Sequence, residues 1–269
     1  MLTIIIVFYK SDKLLLKKII EKINSKFQIV IINNSYEEKL NFIKRENLII
    51  INNKINTGNG AAINQAIKIS KNNLCLYLDL DVNFKKDFIE KFLKLAKKLK
   101  TFGILIPNIN GKCKEKSLFE NYNSEGCVML LNKRVLKNIN LFDERIFLYY
   151  EELDLFLRCK KNNIKIYTIP WLNVIHKRAS SVSVKNKEFY KINNIRKWHE
   201  MWSMFFFYKK NYNYFFALQK TIPLFIKDIL KIIFYIFLLD TKNIEIRINR
   251  ILGLFASIIF AKSYKRIKS

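Results

Sequence analysis

The sequence predicts an α/β fold in which a mostly parallel central sheet carries helices on both faces, followed by an amphipathic helical region. Three observations lead there. Short apolar runs alternate with helix-length amphipathic segments through the first two thirds of the chain. Polar clusters of Asn, Gly and Asp fall directly after the apolar runs. From about residue 190 that alternation gives way to aromatic and aliphatic clusters punctuated by Lys and Arg, which sets a boundary between a domain of residues 1–190 and a basic, aromatic region of residues 191–269.

The elements follow in order. Leu2–Phe8 is a continuous apolar run, Lys13–Ile23 has helical spacing, and Gln28–Ile32 is a short strand closed by Asn33, Asn34 and Ser35. Glu37–Glu46 reads as a helix, Leu48–Ile51 as a strand, Ala61–Ser70 as a helix and Leu74–Leu78 as a strand. Phe84–Leu99 reads as an amphipathic helix and Gly103–Ile106 as a strand. Residues 107–126 read as loop, Cys127–Leu131 as a strand, Phe142–Lys161 as a helical stretch, and Ile164–Ile169 as a last strand before Pro170. Strands that are apolar throughout belong in a sheet covered on both faces, and such sheets bind ligands beyond the carboxyl ends of their strands. Asn33–Ser35, Asn56–Gly60 and Asp79–Asp81 all lie there.

Composition narrows the class. Half of the 269 residues are hydrophobic, with only three prolines and six glycines, so a sizeable core is expected and long flexible linkers are not. Cys75, Cys113, Cys127 and Cys159 show no CxxC pairing and read as buried small hydrophobes in a reducing compartment, not as a zinc site or a disulfide frame. The opening MLTIIIVFYK has no basic stretch ahead of its apolar run and reads as a first strand, so the chain is expected to start in the cytoplasm. The net charge of +27 is uneven: basic residues modestly outnumber acidic ones up to residue 154 and exceed them more than fourfold afterwards. The excess coincides with the most aromatic part of the chain, which favours a lipid surface over nucleic acid as partner.

Four constellations carry chemistry. Asp79 and Asp81, at i and i+2 after a buried strand, can share Mg²⁺ or Mn²⁺ and its diphosphate ligand. Asn56-Thr57-Gly58-Asn59-Gly60 opens a helix and lets backbone N–H groups approach an anion. Glu151, Glu152 and Asp154 follow an aromatic cluster containing Tyr149 and Tyr150, surroundings that favour a general base; Asp154 can also pair with Arg158. His176, one of only two histidines, can complete a metal site, whereas His199 beside Trp198 reads as packing.

In this order the four constellations resemble the family 2 glycosyltransferases, especially their rhamnosyltransferase-like branch, over about residues 2–183. The family's opening strand end falls on Phe8 and Tyr9, and its VDNS-like strand end on Ile32-Asn33-Asn34-Ser35, with Asn33 in place of the usual aspartate. Its NxGxxxAxNxGI segment falls on Asn56, Gly58, Ala62, Asn64 and Ile67, its metal motif on Asp79 and Asp81, and its FDExFFLYxEDxDLxxR block on residues Phe142 to Arg158. The histidine that follows falls on His176.

The resemblance implies a GT-A fold, Rossmann-like in its sheet, and inverting transfer from a UDP- or dTDP-sugar, with dTDP-rhamnose a candidate. The acceptor would be lipid-linked or a surface polysaccharide. Its base position falls on Glu152, where the family has aspartate, with Glu151 the competing candidate. Asp81 is then the direct metal ligand with His176, and Asp79 supports the metal from the diphosphate or ribose side. Phe8, Tyr9, Asn33, Asn34, Asn56, Gly58, Asn64, Asp79 and Arg178 would line the nucleotide-sugar site, and Tyr149, Tyr150 and Asp154 the acceptor side. A sugar-nucleotidyltransferase would show a glycine- and arginine-rich loop where Tyr9-Lys10-Ser11-Asp12 stands; a non-catalytic relative is the other alternative, because of Glu152.

In the tail, Thr221–Leu239 is almost long enough to span a bilayer but contains Lys227, Asp228 and Lys231. Interfacial helices fit better, with Trp198, Trp202 and the tyrosines at headgroup depth and the basic residues toward anionic lipids. The expected location is peripheral, on the cytoplasmic face of the plasma membrane. The sugar, the linkage and the acceptor have no readable code in the sequence.

Overall fold

The computed structural model describes residues 1–99, 101–177 and 186–266. They fall into two compact units: Met1–Phe142 with Leu155–Ser183, and Asp143–Asp154 with Val184–Ser269.

The first unit is built on one sheet. In chain order its strands and helices are β1 (Leu2–Phe8), α1 (Lys13–Glu21), β2 (Gln28–Asn33), β3 (Leu48–Asn52), α2 (Asn59–Ile69), β4 (Leu74–Leu78) and β5 (Val82–Asn83). There follow α3 (Phe88–Lys98), β6 (Ile104–Ile109), β7 (Phe119–Glu120), β8 (Val128–Asn132), α4 (Lys133–Leu136), α5 (Glu151–Lys161) and β9 (Ile166–His176). The sheet order is β3-β2-β1-β4-β8-β6-β9-β5, with β7 added on β9. The block β3-β2-β1-β4 is parallel throughout, β8 runs antiparallel between β4 and β6, and β6 and β9 are parallel again. Ile4, Ile5 and Ile6 are fully buried, which requires cover on both faces and explains why alternation is absent from β1. Because the first four strands are parallel, Phe8, Asn33, Asn52 and Leu78 all end at the same sheet edge.

Several predicted elements are redrawn. Residues 37–46 form turns instead of a helix. Only Leu40 of this stretch is buried below the exposure of a core residue, and the Arg45 guanidinium donates to the carbonyl of Ile23 (2.8 Å). One buried side chain gives too little apolar stripe to hold a helix against the sheet. The predicted helix from Phe84 starts at Phe88, because Val82 and Asn83 are held extended by pairing with β9. The last strand runs through Pro170 to His176; the register shift at Pro107/Asn108 accommodates it, and Asn108 donates its side-chain N–H to the Pro170 carbonyl (3.0 Å). Residues 142–150 are not helical: Tyr149 and Tyr150 have φ of 65° and 68°, and the helix begins only at Glu151. Two successive side chains in the left-handed region cost roughly 1–2 kcal/mol each, so tertiary contacts must hold them.

The second unit joins residues 143–154 to three helices, α6 (Asn186–Asn211), α7 (Tyr214–Phe237) and α8 (Thr241–Ile258). Asp154, with no exposed surface, is met by Lys210 Nζ (2.6 Å) and Asn211 Nδ2 (2.9 Å), and Lys210 also reaches Asp143 (2.7 Å). Burial works against charge on Asp143, yet hydrogen bonds from Arg145 and Lys210 hold its carboxyl far below the usual range. Ser203 donates to the Leu148 carbonyl (2.8 Å), and the Phe147 ring lies 4.5 Å from His199. His199 packs, as expected: it is fully buried and bonded to the Lys265 carbonyl (2.7 Å), and burial lowers its pKa to about 4.

Trp198 and Trp202 are also buried, stacked at 6.5 Å inside this unit, so they are not headgroup anchors. Asp228 of α7 does not interrupt an apolar face either. It points inward to Arg250 Nε (2.7 Å) and Arg247 Nη1 (3.2 Å), and Arg250 continues to Glu200 (2.7 Å). Among the described residues no helix is long and apolar enough to cross a membrane. Helices α6 and α8 cross so closely at Gly253 that a Cβ there would lie 2.1 Å from the Trp198 carbonyl oxygen. Gly253→Ala should therefore lower stability by about 3 kcal/mol or more, read as a drop in the melting temperature; an unchanged melt would show that the crossing is looser than this.

Candidate metal and nucleotide-sugar site

The residues after β1, β2, β3 and β4 are tied into one rim. The Asn34 N–H donates to the Phe8 carbonyl (2.8 Å), and Lys10 N–H, at φ 45°, donates to Ser35 Oγ (2.6 Å). Phe8 is fully buried, so its part is to place this rim; Tyr9 is half-buried and accepts the Ser11 hydroxyl on its carbonyl (3.0 Å). Asn33 is fully buried too. Its side chain donates to the Glu38 carbonyl (2.7 Å) and Asn52 Oδ1 (2.8 Å) and accepts from Ser35 N–H (3.0 Å), which fixes the turn.

Asn34 joins this rim to the glycine turn. Its Oδ1 accepts from Asn53 (2.8 Å) and the Thr57 hydroxyl (3.2 Å), and its amide reaches the Gly58 carbonyl (3.4 Å). Asn56 Oδ1 accepts from the Gly58 N–H (2.9 Å), and Gly58, at φ 90°, precedes α2 with no side chain capping it. A residue with a Cβ is strained at that φ, and an uncapped helix start presents N–H groups to an anion. Asn64 has a scaffolding part: it exchanges two hydrogen bonds with the backbone of Phe142 (2.9 and 3.1 Å) inside the core.

The densest chemistry sits after β4. Leu76, Tyr77 and Leu78 are buried, and the strand ends where Asp79 N–H donates to the Cys127 carbonyl (2.9 Å). The Tyr77 hydroxyl donates to Asp79 Oδ1, with Asn59 Oδ1 3.0 Å away. Leu80 turns into the core, which leaves Asp79 and Asp81 on the other side of the chain. The two-residue β5 then pairs antiparallel with the end of β9, Val82 opposite His176.

That pairing puts His176 Nε2 3.2 Å from Asp81 Oδ1. The histidine's backbone is gripped by Asn110, which accepts its N–H (2.8 Å) and donates to its carbonyl (3.1 Å). On the ring's other side Nδ1 lies 3.3 Å from Glu125 Oε2, and Lys112 holds the other oxygen of that carboxylate (2.7 Å). The Asp81 hydrogen bond, opposed by partial burial, holds the His176 imidazole above its ordinary pKa. Burial, aided by the charges of Asp79, Glu125 and Asp81, pushes the Cys127 thiol far up.

One oxygen from each of Asp79 and Asp81 and a nitrogen of His176 lie within 4.8 Å of one another. Two hard oxygens and an imidazole are a donor set that fits Mn²⁺ or Mg²⁺, ions that also take diphosphate oxygens as ligands. Glu125 was not singled out from the sequence; it lies in the segment read there as featureless loop. Arg178 lies outside the described residues. Glu151 and Glu152 open α5, Glu151 buried and Glu152 half-buried; Tyr150, its hydroxyl's pKa raised by burial, packs on Phe207 (5.4 Å), and Tyr149 is half-buried.

The model of glycosyl transferase family 2 matches residues 3–158. A hexosyltransferase of low-salt glycan biosynthesis, Agl10 from Haloferax volcanii, is 25% identical over 207 residues, which span 65% of this chain and 66% of that relative, just under two thirds. Among solved structures, the mannosyltransferase PcManGT from Pyrobaculum calidifontis, in complex with GDP-Man and Mn²⁺, is similar with a TM-score of 0.58 at 10% identity, covering 95% of this chain and 86% of its own. S. aureus TarS 1-349 in complex with UDP-GlcNAc gives a TM-score of 0.54 at 14% identity, covering 97% and 92%. At these identities the likeness establishes the GT-A architecture.

Asp81→Asn and His176→Ala should each weaken Mn²⁺ binding by tenfold or more in a calorimetric titration, about 1.4 kcal/mol. Binding that survives both changes would exclude this ligand set.

Proposed function

Because the chain belongs to glycosyl transferase family 2, we propose that it is an inverting, metal-dependent hexosyltransferase acting on a UDP- or dTDP-sugar, dTDP-rhamnose among them. The carrying observation is the meeting of Asp79, Asp81 and His176 at the carboxyl edge of the parallel block. Asp79, Asp81 and His176 would hold a divalent cation there, which would supply Lewis-acid compensation for charge on the leaving diphosphate. The similar structures were solved with GDP-Man and Mn²⁺ and with UDP-GlcNAc, which supports a nucleoside-diphosphate sugar as donor.

The remaining parts belong to the chain. Tyr9, Asn34 and the Asn56–Gly58 turn bound the rim in which the nucleoside and diphosphate would lie, the turn contributing the N–H groups of the α2 start. Asn33 and Asn64 hold that rim from behind. Glu152 takes the proton from the acceptor hydroxyl as that oxygen attacks the anomeric carbon, opposite the departing diphosphate. Glu151 is the second candidate for that base. Tyr149, Tyr150 and Asp154 are assigned to the acceptor side, Asp154 by fixing the start of α5 through Lys210 and Asn211.

The acceptor we favour is a lipid-linked or polysaccharide chain in surface glycan synthesis, met at the cytoplasmic face of the plasma membrane. Support comes from α7. Its Ile226, Ile233, Phe234 and Phe237 are exposed, as are Leu238 and Leu239 just beyond, while its one carboxylate, Asp228, is turned inward. An apolar outer face beside Lys residues suits an anionic bilayer surface.

Two measurements test the proposal. Glu152→Gln should abolish transfer from a UDP- or dTDP-sugar panel while keeping Mn²⁺-dependent nucleotide binding, and Asp81→Asn should weaken that binding. Unchanged transfer in both variants overturns the mechanism, and nucleotide binding without transfer by the unaltered chain favours a non-catalytic relative. Separately, the protein should pellet with anionic liposomes at low salt; failure to do so rules out the lipid-surface reading.

A further inference from the structure

His176 faces two sets of ligands, not one. On its Nε2 side stand the carboxylates of Asp79 and Asp81. On its Nδ1 side stands Glu125, and a carboxylate oxygen of Glu125, the Cys127 sulfur and a His176 ring nitrogen also lie within 4.8 Å of one another. The first set is hard. The second contains a sulfur and is the donor combination of a Zn²⁺ site with an open fourth position.

We propose that Glu125, Cys127 and His176 form a second, thiophilic metal site, which takes Zn²⁺ or Cd²⁺ and, when filled, disables the neighbouring hard-metal site. The geometry needs little change. Ligand atoms around tetrahedral Zn²⁺ sit roughly 3.4–3.6 Å apart, and Glu125 Oε2 is already 3.3 Å from Nδ1. The sulfur, within 4.8 Å of its partner atoms, must close in by at most about 1.4 Å, and its thiol proton leaves to solvent as the metal–sulfur bond forms. The charges of Asp79, Glu125 and Asp81 oppose ionisation of the buried thiol, and a dication would compensate them. Entry is from the Glu125 side, which is 30% exposed, whereas Cys127 itself is buried.

Exclusivity follows from the imidazole. A neutral ring has one N–H and one lone pair. With a soft ion on Nδ1, the hydrogen resides on Nε2, where it donates to Asp81 and can no longer ligate a metal. With the hard ion on Nε2, the hydrogen resides on Nδ1 and donates to Glu125, the carboxylate–histidine arrangement that orients a ligating imidazole. Glu125 is thus a positioning residue for one ion and a ligand for the other. The effect on transfer rests on the metal-dependent reading above; the site itself does not.

The test uses the full chain and the metals alone. Titration with Cd²⁺ should give a thiolate-to-metal absorption band saturating at one equivalent. Cys127→Ser should lack the band, Glu125→Gln should weaken Cd²⁺ binding about tenfold or more, and Asp81→Asn should keep the band. In parallel, one equivalent of Zn²⁺ should displace Mn²⁺, followed by its electron paramagnetic resonance signal, from the unaltered chain but not from Cys127→Ser. A band that persists in Cys127→Ser, or Mn²⁺ displacement unaffected by that change, overturns the proposal. Circular dichroism confirms folding, and if Cys127→Ser does not fold, the Glu125→Gln titration decides. None of these signals requires sugar transfer, so an inactive chain would leave the result readable.

Discussion

The two-residue pairing of β5 with the end of β9 is the constraint on which the site depends. Asp79 and Asp81 follow β4 directly and are local to one strand end. His176 is almost a hundred residues further along and arrives only because Val82 and His176 are cross-strand partners. The pairing has just one further register pair, Asn83 with Ile175, and is supported by the Asn110 side chain, which bonds the His176 backbone on both its polar groups. An asparagine side chain that mimics a strand neighbour in this way finishes a ladder that the short β5 cannot supply.

Much of the site was legible because its residues are local to strand ends. Apolar runs such as LTIIIVF and LCLYL mark buried strands, and in a parallel block every polar residue that follows one comes to the same edge. Gly58 was legible for a similar reason, since a backbone φ of 90° before a helix leaves few other residues possible. What the sequence concealed lies in side chains whose partners are distant. The side chains of Asn33 and Asn64 bond groups of the protein itself, and no local pattern separates such an asparagine from one that faces a ligand. Glu125 sits in an irregular segment with no periodicity to read, and only the fold brings it to His176.

The tail shows the same limit from the other side. Aromatic and basic composition reads as an interfacial surface, yet Trp198 and Trp202 are interior, and Lys210 is an internal counter-ion for Asp143 and Asp154. Composition reports what a segment contains, and packing decides which side faces out. The acidic block illustrates this further: Asp154 is held by Lys210 and Asn211 at the end of α6, partners more than fifty residues along the chain.

The inward-turned Asp228 has a consequence for how this protein behaves outside its setting. A helix ordinarily hides its isoleucines and shows its charges, whereas α7 places a carboxylate in a cage of two arginines and leaves Ile226, Ile233 and Phe234 outside. The cage ties α7 to α8 by charge, and Ala217, Leu224 and Phe225 add apolar contacts behind that outer face. The face is thereby left at liberty to change its surroundings, water on one occasion and an oily layer on another, without loosening the helices behind it. Mild detergent should accordingly act on this protein as a substitute solvent for one face, and not as a denaturant.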